Sequence, residues 1–313
     1  MSMREPASGA VVGAPYIGAP FGDRESAEDW VADVARQWSL PAPVLVRMSM
    51  NAVYRCGDVV LRIGRPVPGA PASRELCDVL RNADIPIAEI IDELDALDGR
   101  RVTAMAYVAA GAEVDWVHTG RIVARLHDRV GVDELPDGWP VADPRRLPWW
   151  ELEQLVGELD TACLDIANDV NERVRARLTH VVDGYRWWRD EVDHDAVICH
   201  GDLQPANVLM GSHGPVLIDW DLLAMAPRGW DHGPMLAQTR RWGVPSSVYD
   251  QYTRGYGTDL SADRFALAVA ELRDVAATVL AVRAAASNPV AVIEARHRYL
   301  SWIGESSGPW TAR

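Results

Sequence analysis

The sequence predicts an α+β protein with a small β-rich N-terminal lobe and a larger, mainly helical C-terminal lobe. Three observations carry that expectation. Up to about residue 108 the apolar residues come in short, strand-like runs broken by turn residues. After Gly111 their spacing becomes helical. One strand-rich island, 196–220, interrupts the helices before they resume from 245 to 305. The bulk numbers agree: 313 residues with 48% apolar content, 24% charged content and a mean hydropathy of −0.10 describe a globular chain with ample core.

Taken in order, residues 1–22 read as a flexible leader, too weakly apolar and too interrupted by Gly and Pro for a signal peptide. The N-terminal lobe is expected over 23–108. Its first helix, 24–38, sets Trp30, Val31, Val34 and Trp38 at helical spacing and is stopped by Pro41 and Pro43. Val44–Val46, Ala52–Arg55 and Val59–Ile63 read as a meander, with Cys56-Gly57-Asp58 as a hairpin turn. A helix over 72–83 follows, then short strands on either side of Asp98-Gly99. The C-terminal lobe is expected over 109–313. Apolar positions repeat at Val117, Ile122, Val123 and Leu126, and 149–189 read as two long amphipathic helices.

All 31 basic residues are arginine. Without a lysine no Schiff base forms with a carbonyl substrate or pyridoxal phosphate, and no Walker A loop is available. Every such cation is a guanidinium, permanently charged and suited to forked contacts. The net charge of −14 and a pI near 5.0 argue against nucleic acid as a partner. Cys56, Cys77, Cys163 and Cys199 have neither zinc nor redox spacing and suit a reducing compartment. No apolar run approaches the ~18–20 residues of a membrane span. A cytoplasmic protein with no nucleic-acid or membrane partner is therefore expected.

The chemistry concentrates in AVICHGDLQPANVLMGSHGPVLIDWD, residues 196–221. The apolar runs Val208–Met210 and Val216–Ile218 flank the turn sequence Gly211-Ser212-His213-Gly214-Pro215. Folding the hairpin about His213 sets Asn207 opposite Asp219, where opposed Cα atoms lie ~4.5–5.5 Å apart. Asp202, five residues before Asn207 in a loop held by Gly201 and Pro205, joins them. Three side chains bearing hard oxygen donors converge there, which suits Mg2+ bridging phosphates rather than zinc.

HGDLQPAN and LIDWD are similar to the catalytic loop and metal segment of the aminoglycoside phosphotransferase and choline kinase superfamily, which shares the protein-kinase fold. The resemblance implies a protein-kinase-like fold over about 45–300. It implies Asp202 as the catalytic base facing the acceptor hydroxyl, His200 bracing the loop, and Asn207 and Asp219 holding Mg2+ against the nucleotide phosphates. Asp231 in RGWDHGP resembles the family's later aspartate that hydrogen-bonds the catalytic-loop backbone, and Asp221 would sit near a second metal or at the rim. In VVLR (59–62), Val60 and Arg62 share one strand face because side chains alternate. By the resemblance Val60 covers the adenine, Arg62 stands where the family usually has lysine and reaches the phosphates, and Glu75 pairs with it. Ser49 and Asn51 would occupy the nucleotide-positioning turn. TAMAYVAAG (103–111) would be the connector whose backbone meets the purine near Tyr107 and Val108.

The expected activity is transfer of the γ-phosphate of ATP, or GTP, to a hydroxyl of a small molecule. Glu151, Glu158, Asp165 and Glu172 repeat every seven residues, as either a solvated helix face or a wall for a cationic, amine-bearing acceptor. The 13 Trp against 2 Phe serve core packing or the recognition of flat and cationic ligands. An aminoglycoside-like antibiotic, a choline-like amino alcohol, or a sugar or amino-acid hydroxyl all fit, the first with a role in antibiotic resistance. A catalytically impaired nucleotide-binding pseudokinase is the alternative, because Arg62 replaces lysine.

Overall fold

The structure is a computed structural model that describes residues 24–48, 51–64, 74–95, 100–109, 111, 113–135, 172–173, 176–177, 179–180, 183, 195–287 and 290–311. The expected leader, Ser49, Glu151, Glu158, Asp165 and most of the 149–189 helical stretch lie outside the described residues.

The N-terminal part is a five-stranded antiparallel sheet in the order β1-β2-β3-β5-β4. Its strands are β1 (Val44–Met48), β2 (Ala52–Cys56), β3 (Val59–Gly64), β4 (Ile90–Asp95) and β5 (Arg101–Ala106). The first three form the expected meander, turning at Gly57, whose φ of +65° suits glycine. In β3, Arg62 lies opposite Val53 on one side and Thr103 on the other, and Val60 opposite Arg55 and Met105. Leu61 and Ile63 point the other way, into a core shared with Ala27, Val31 and Val34 of α1 (Arg24–Gln37). The alternation thus buries one face of β3 under α1 and turns the face carrying Arg62 toward the rest of the molecule.

Helix α2 (Arg74–Asn82) packs differently. Leu76 and Leu80 join Ile85, Ile122, Leu126 and Leu217 in the larger core of the C-terminal part. The segment after α2 is also stitched to that part by the backbone, since the Leu217 N–H donates to the Pro86 carbonyl at 3.0 Å.

The C-terminal part begins with α3 (Trp116–Arg129), whose first turn is capped by Asp115 accepting from the His118 N–H at 2.8 Å. Two short antiparallel ladders follow: β6 (Ala196–Cys199) with β9 (Ala224–Pro227), and β7 (Val208–Gly211) with β8 (Gly214–Leu217). Helices α4 (Gly229–Arg241), α5 (Ser246–Tyr256), α6 (Arg264–Ser287) and α7 (Ala291–Trp302) complete it. Strand β9 and helix α4 fall where the sequence reading had no element. Residues Gly229–Ala237 of α4 are all buried, so the helix shows no apolar stripe, and Gly229, Gly233 and Pro234 further mask it.

Two glycines set the contact between α3 and α5. A Cβ on Gly120 would lie 2.1 Å from the Tyr252 carbonyl oxygen, and one on Gly255 would lie 1.8 Å from that of Val117. The helices touch backbone to backbone, which no larger residue permits. Among the described residues no helix is long and apolar enough to cross a membrane.

Candidate active site

The loop from His200 to Asn207 leaves β6 and is held from below by Asp231, in the first turn of α4. Asp231 accepts the His200 N–H at 2.8 Å and the Gly201 N–H at 2.9 Å, and its Oδ2 lies 3.0 Å from Nε2 of His127. Burial pushes the Asp231 carboxyl up. His127 and the charge and amide donors of the loop outweigh it and keep the group below the usual aspartate range. The other His127 nitrogen meets the Tyr256 hydroxyl at 2.9 Å. His127, Cys199 and Asp231 bring possible metal-ligand atoms within 4.8 Å of one another, but these hydrogen bonds already engage both imidazole nitrogens and both carboxylate oxygens.

Gly201 adopts φ +85°, and a Cβ there would stand 1.6 Å from the Leu222 carbonyl oxygen. The loop therefore threads directly under the segment that follows Asp219. His200 braces the same junction, fully buried. Its Nε2–H donates to the Ile218 carbonyl at 3.0 Å while Nδ1 accepts the Asp202 N–H at 3.3 Å, which fixes the neutral tautomer. Burial lowers its pKa, in keeping with a neutral ring.

The β7–β8 hairpin differs in register from the sequence expectation. Val208 pairs with Leu217 and Gly211 with Gly214, so the turn is Ser212-His213 alone. Asn207 consequently falls opposite Ile218, whose N–H donates to the Asn207 carbonyl at 3.0 Å. Asp219 lies one residue further on and adopts φ +66°, a left-handed conformation that turns the chain sharply after Ile218.

The Asp202 carboxylate accepts Nδ2 of Asn207 at 2.9 Å and Nε2 of Gln204 at 3.0 Å, both on Oδ2. With its nitrogen engaged there and on the Asp202 carbonyl at 2.8 Å, Asn207 keeps its amide oxygen for other work. Asp219 follows Ile218, the residue opposite Asn207, and adds a carboxylate. Burial, with Asp221 and Asp202 nearby and against the pull of Arg62, pushes the Asp219 carboxyl up to about 6. One amide oxygen and one carboxylate fit a hard dication such as Mg2+, whose charge would offset that burial.

Arg62 reaches this cluster from β3. It makes a forked contact with Asp221, Nη1 to Oδ1 at 3.2 Å and Nη2 to Oδ2, and Nη2 lies 3.5 Å from Asp219. The expected pairing with Glu75 is corrected here. Glu75 is exposed in the first turn of α2, a helix turned toward the C-terminal core, while Arg62 points at the metal segment. Val60 shares the Arg62 face and is half-buried. Asn51 is buried, with its side chain against Gly64. In the connector the Tyr107 N–H already donates to the Asp58 carbonyl at 2.8 Å, and the Arg55 guanidinium stacks 3.7 Å above the Tyr107 ring. Among the described residues the Val108 N–H has no backbone acceptor, unlike that of Tyr107.

A cavity of about 260 Å³ is lined by Asn51, Asp202, Asp219, Asp221, Arg273 and Trp242, among others. Arg273 of α6 was not singled out from the sequence, yet it contacts Asp202 directly, Nη1 to Oδ1 at 2.8 Å. No motif surrounds it. Only the packing of α6 against α4, which carries Asp231, brings it to the loop.

Residues 49–269 match the model of the phosphotransferase enzyme family. The chain belongs to that family. Several solved structures share the overall fold at low identity. This phosphotransferase superposes on an amicoumacin kinase solved in complex with AMP-PNP, Ca2+ and Ami, with TM-score 0.64 and 14% identity over 89% of this chain and 94% of that one. A choline/ethanolamine kinase family protein from Mesorhizobium loti gives TM-score 0.61 and 17% identity over 91% and 95%. A spectinomycin phosphotransferase bound to ADP and spectinomycin gives 0.58 and 14% over 87% and 93%. A search among curated proteins found no matching sequence. The kinase-like fold, with an antiparallel N-terminal sheet and a helical C-terminal part, is thus established for this phosphotransferase.

Proposed function

We propose that this phosphotransferase moves the γ-phosphate of a purine nucleoside triphosphate to a hydroxyl of a small molecule, with Asp202 as the catalytic base. The observation that carries the reading is that Asp202 and Asp219 line one cavity, with Asn207 bonded to Asp202 at 2.9 Å and Arg62 3.5 Å from Asp219. The acceptor oxygen attacks the γ-phosphorus, the bond to the β–γ bridging oxygen breaks, the nucleoside diphosphate leaves, and the hydroxyl proton passes to the Asp202 carboxylate. Asn207 and Asp219 would hold Mg2+, which when bound neutralises phosphate charge. Arg62 supplies permanent positive charge on the sheet side. At an effective dielectric of ~20, unit charges ~4 Å apart interact by about 4 kcal/mol before desolvation.

Asn51, Val60 and Val108 frame the nucleotide side of the reading, with ATP or GTP as donor. Of the neighbours named above, one is an amicoumacin kinase, one a spectinomycin phosphotransferase and one a choline/ethanolamine kinase family protein. These neighbours support a hydroxylated small molecule as the acceptor class.

The test is release of ADP or GDP by wild type and by Asp202→Asn, with Mg2+, ATP or GTP, and a panel of antibiotics, amino alcohols, sugars and hydroxy amino acids. Turnover lost in the variant supports the reading. Tight nucleotide binding with no turnover on any acceptor would sink it in favour of an impaired nucleotide-binding protein.

A further inference from the structure

Three side chains hold the Asp202 carboxylate, and one of them comes from far along the chain. Gln204 and Asn207 both donate to Oδ2, at 3.0 and 2.9 Å. Arg273 donates from Nη1 to Oδ1 at 2.8 Å and from Nη2 to the carbonyl oxygen of Gly201. The Arg273 and Asp202 side chains are only 15% and 17% exposed, so solvent screens the pair poorly. A carboxylate oxygen has two lone-pair sites. Two amide donors fill Oδ2, whereas Oδ1 carries the Arg273 donor and keeps a site for another hydrogen.

We infer that Arg273 is a positioning residue for phosphoryl transfer, fixing Asp202 so that the remaining Oδ1 lone pair receives the acceptor hydroxyl. The inference rests on the phosphotransfer reading above. A guanidinium suits the task because its planar fork ties two points of one loop at once, the Asp202 carboxylate and the Gly201 carbonyl. An ammonium group is a point charge without that fork. Gly201 has no slack to give, since it already lies under the Leu222 carbonyl. One to two turns further along α6, Ala276, Ala277 and Leu280 line the same cavity. An acceptor seated against them is registered on the helix that also holds the catalytic carboxylate. This is how a helix without motif residues can set the distance between hydroxyl and base, where misplacement near 1 Å costs about 100-fold in rate.

The experiment compares the whole chain with Arg273→Ala and Arg273→Lys. It measures ADP release from Mg-ATP with water and with the acceptor panel, the thermal midpoint, and rescue by added guanidinium ion at millimolar concentration. The alanine variant should lose about 10- to 100-fold in kcat while its KM for ATP stays within about threefold, as expected for lost orientation rather than lost nucleotide binding. Guanidinium ion should restore part of the loss, and the lysine variant should fall between. If the alanine variant does not fold, the lysine variant carries the test, since it keeps a cation beside Asp202 and loses the fork. A kcat within about twofold of wild type in the folded variant tested overturns the inference. So does an equal, unrescued loss in both variants that tracks a lowered midpoint. A wild type that turns over nucleotide beside an indifferent variant overturns the inference alone, whereas a wild type that never releases ADP overturns the phosphotransfer reading along with it.

Discussion

Arg62 in the sheet and Asp221, two residues after Asp219 and 159 residues from Arg62 in sequence, form a forked ion pair in which Nη1 lies 3.2 Å from Oδ1. Their side chains are 18% and 11% exposed. Arg62 is thus anchored from the C-terminal part, beside Asp219, and α2 packs its apolar face into the larger core. Breaking a poorly solvated pair from one side leaves the other charge uncompensated, so each partner depends on the other more than a surface pair would.

It follows that Arg62→Ala should raise the ATP concentration needed for half-maximal turnover by about tenfold or more, because a charge-assisted contact to phosphate is lost. Asp221→Asn should move it in the same direction by loosening Arg62, and Glu75→Gln should have the smaller effect. Steady-state kinetics with varied Mg-ATP checks the order. A larger effect from Glu75 than from Asp221 would restore the pairing expected from the strand–helix pattern.

Asp202→Asn removes the proton acceptor and keeps the side-chain shape, but leaves one accepting oxygen, for either Arg273 or Gln204 and Asn207. Turnover should fall by about 100- to 10,000-fold, the range of general-base contributions. Nucleotide affinity should change little, which equilibrium titration with ADP or a non-hydrolysable triphosphate reads directly.

Gly120→Ala and Gly255→Ala should each destabilise the chain by about 1–3 kcal/mol or more, because the new methyl group meets backbone that neither helix can withdraw. Denaturant unfolding measures the change. An alanine variant as stable as wild type would show that α3 and α5 are further apart than the structure places them.

How far the site could be read from the sequence depended on how local each relationship is. Asp202, Asn207 and Asp219 share one loop and one hairpin, so spacing alone brought them together. Even there the pairing was one residue off, because the turn is the two residues Ser212-His213 rather than a loop centred on His213. The sheet was legible from period-two runs and the Gly57-Asp58 turn. Arg62 was legible as a cation on the cleft face of β3, but its partner was not. Alternation fixes which face a side chain takes and says nothing of which element lies across from it. Arg273 sits 71 residues beyond Asp202 on a helix with no motif, and α4 hides its helical period by being buried all round. Contacts made only by packing leave no local pattern to read.

The last prediction concerns acid stability. His232 is fully buried among Tyr249, Tyr252 and Tyr256, with Nδ1 at 2.9 Å from the Tyr249 hydroxyl and Nε2 without a hydrogen-bond partner among the described residues. Burial first, and the neighbouring His127 second, lower its pKa from 6.5 to about 3. Between those values the unfolded chain takes up a proton that the native ring refuses. Stability should therefore fall as pH drops below 6.5, by up to about 1.4 kcal/mol per pH unit from this one group. Asp274, paired with Arg241 at 3.0 Å, runs the other way: burial raises it from 3.8 to about 6. Native Asp274 then holds a proton that the unfolded chain has released, so its contribution improves as pH falls from 6 toward 3.8. Because the two oppose each other, wild type alone does not separate them, and the variants do. Urea unfolding across pH 7 to 4.5 should show the stability gap between wild type and His232→Phe narrowing on acidification. For Asp274→Asn the difference should shift in wild type's favour over the same range. A His232→Phe gap that stays constant would mean that the ring takes up its proton inside the fold, and that acid sensitivity arises elsewhere.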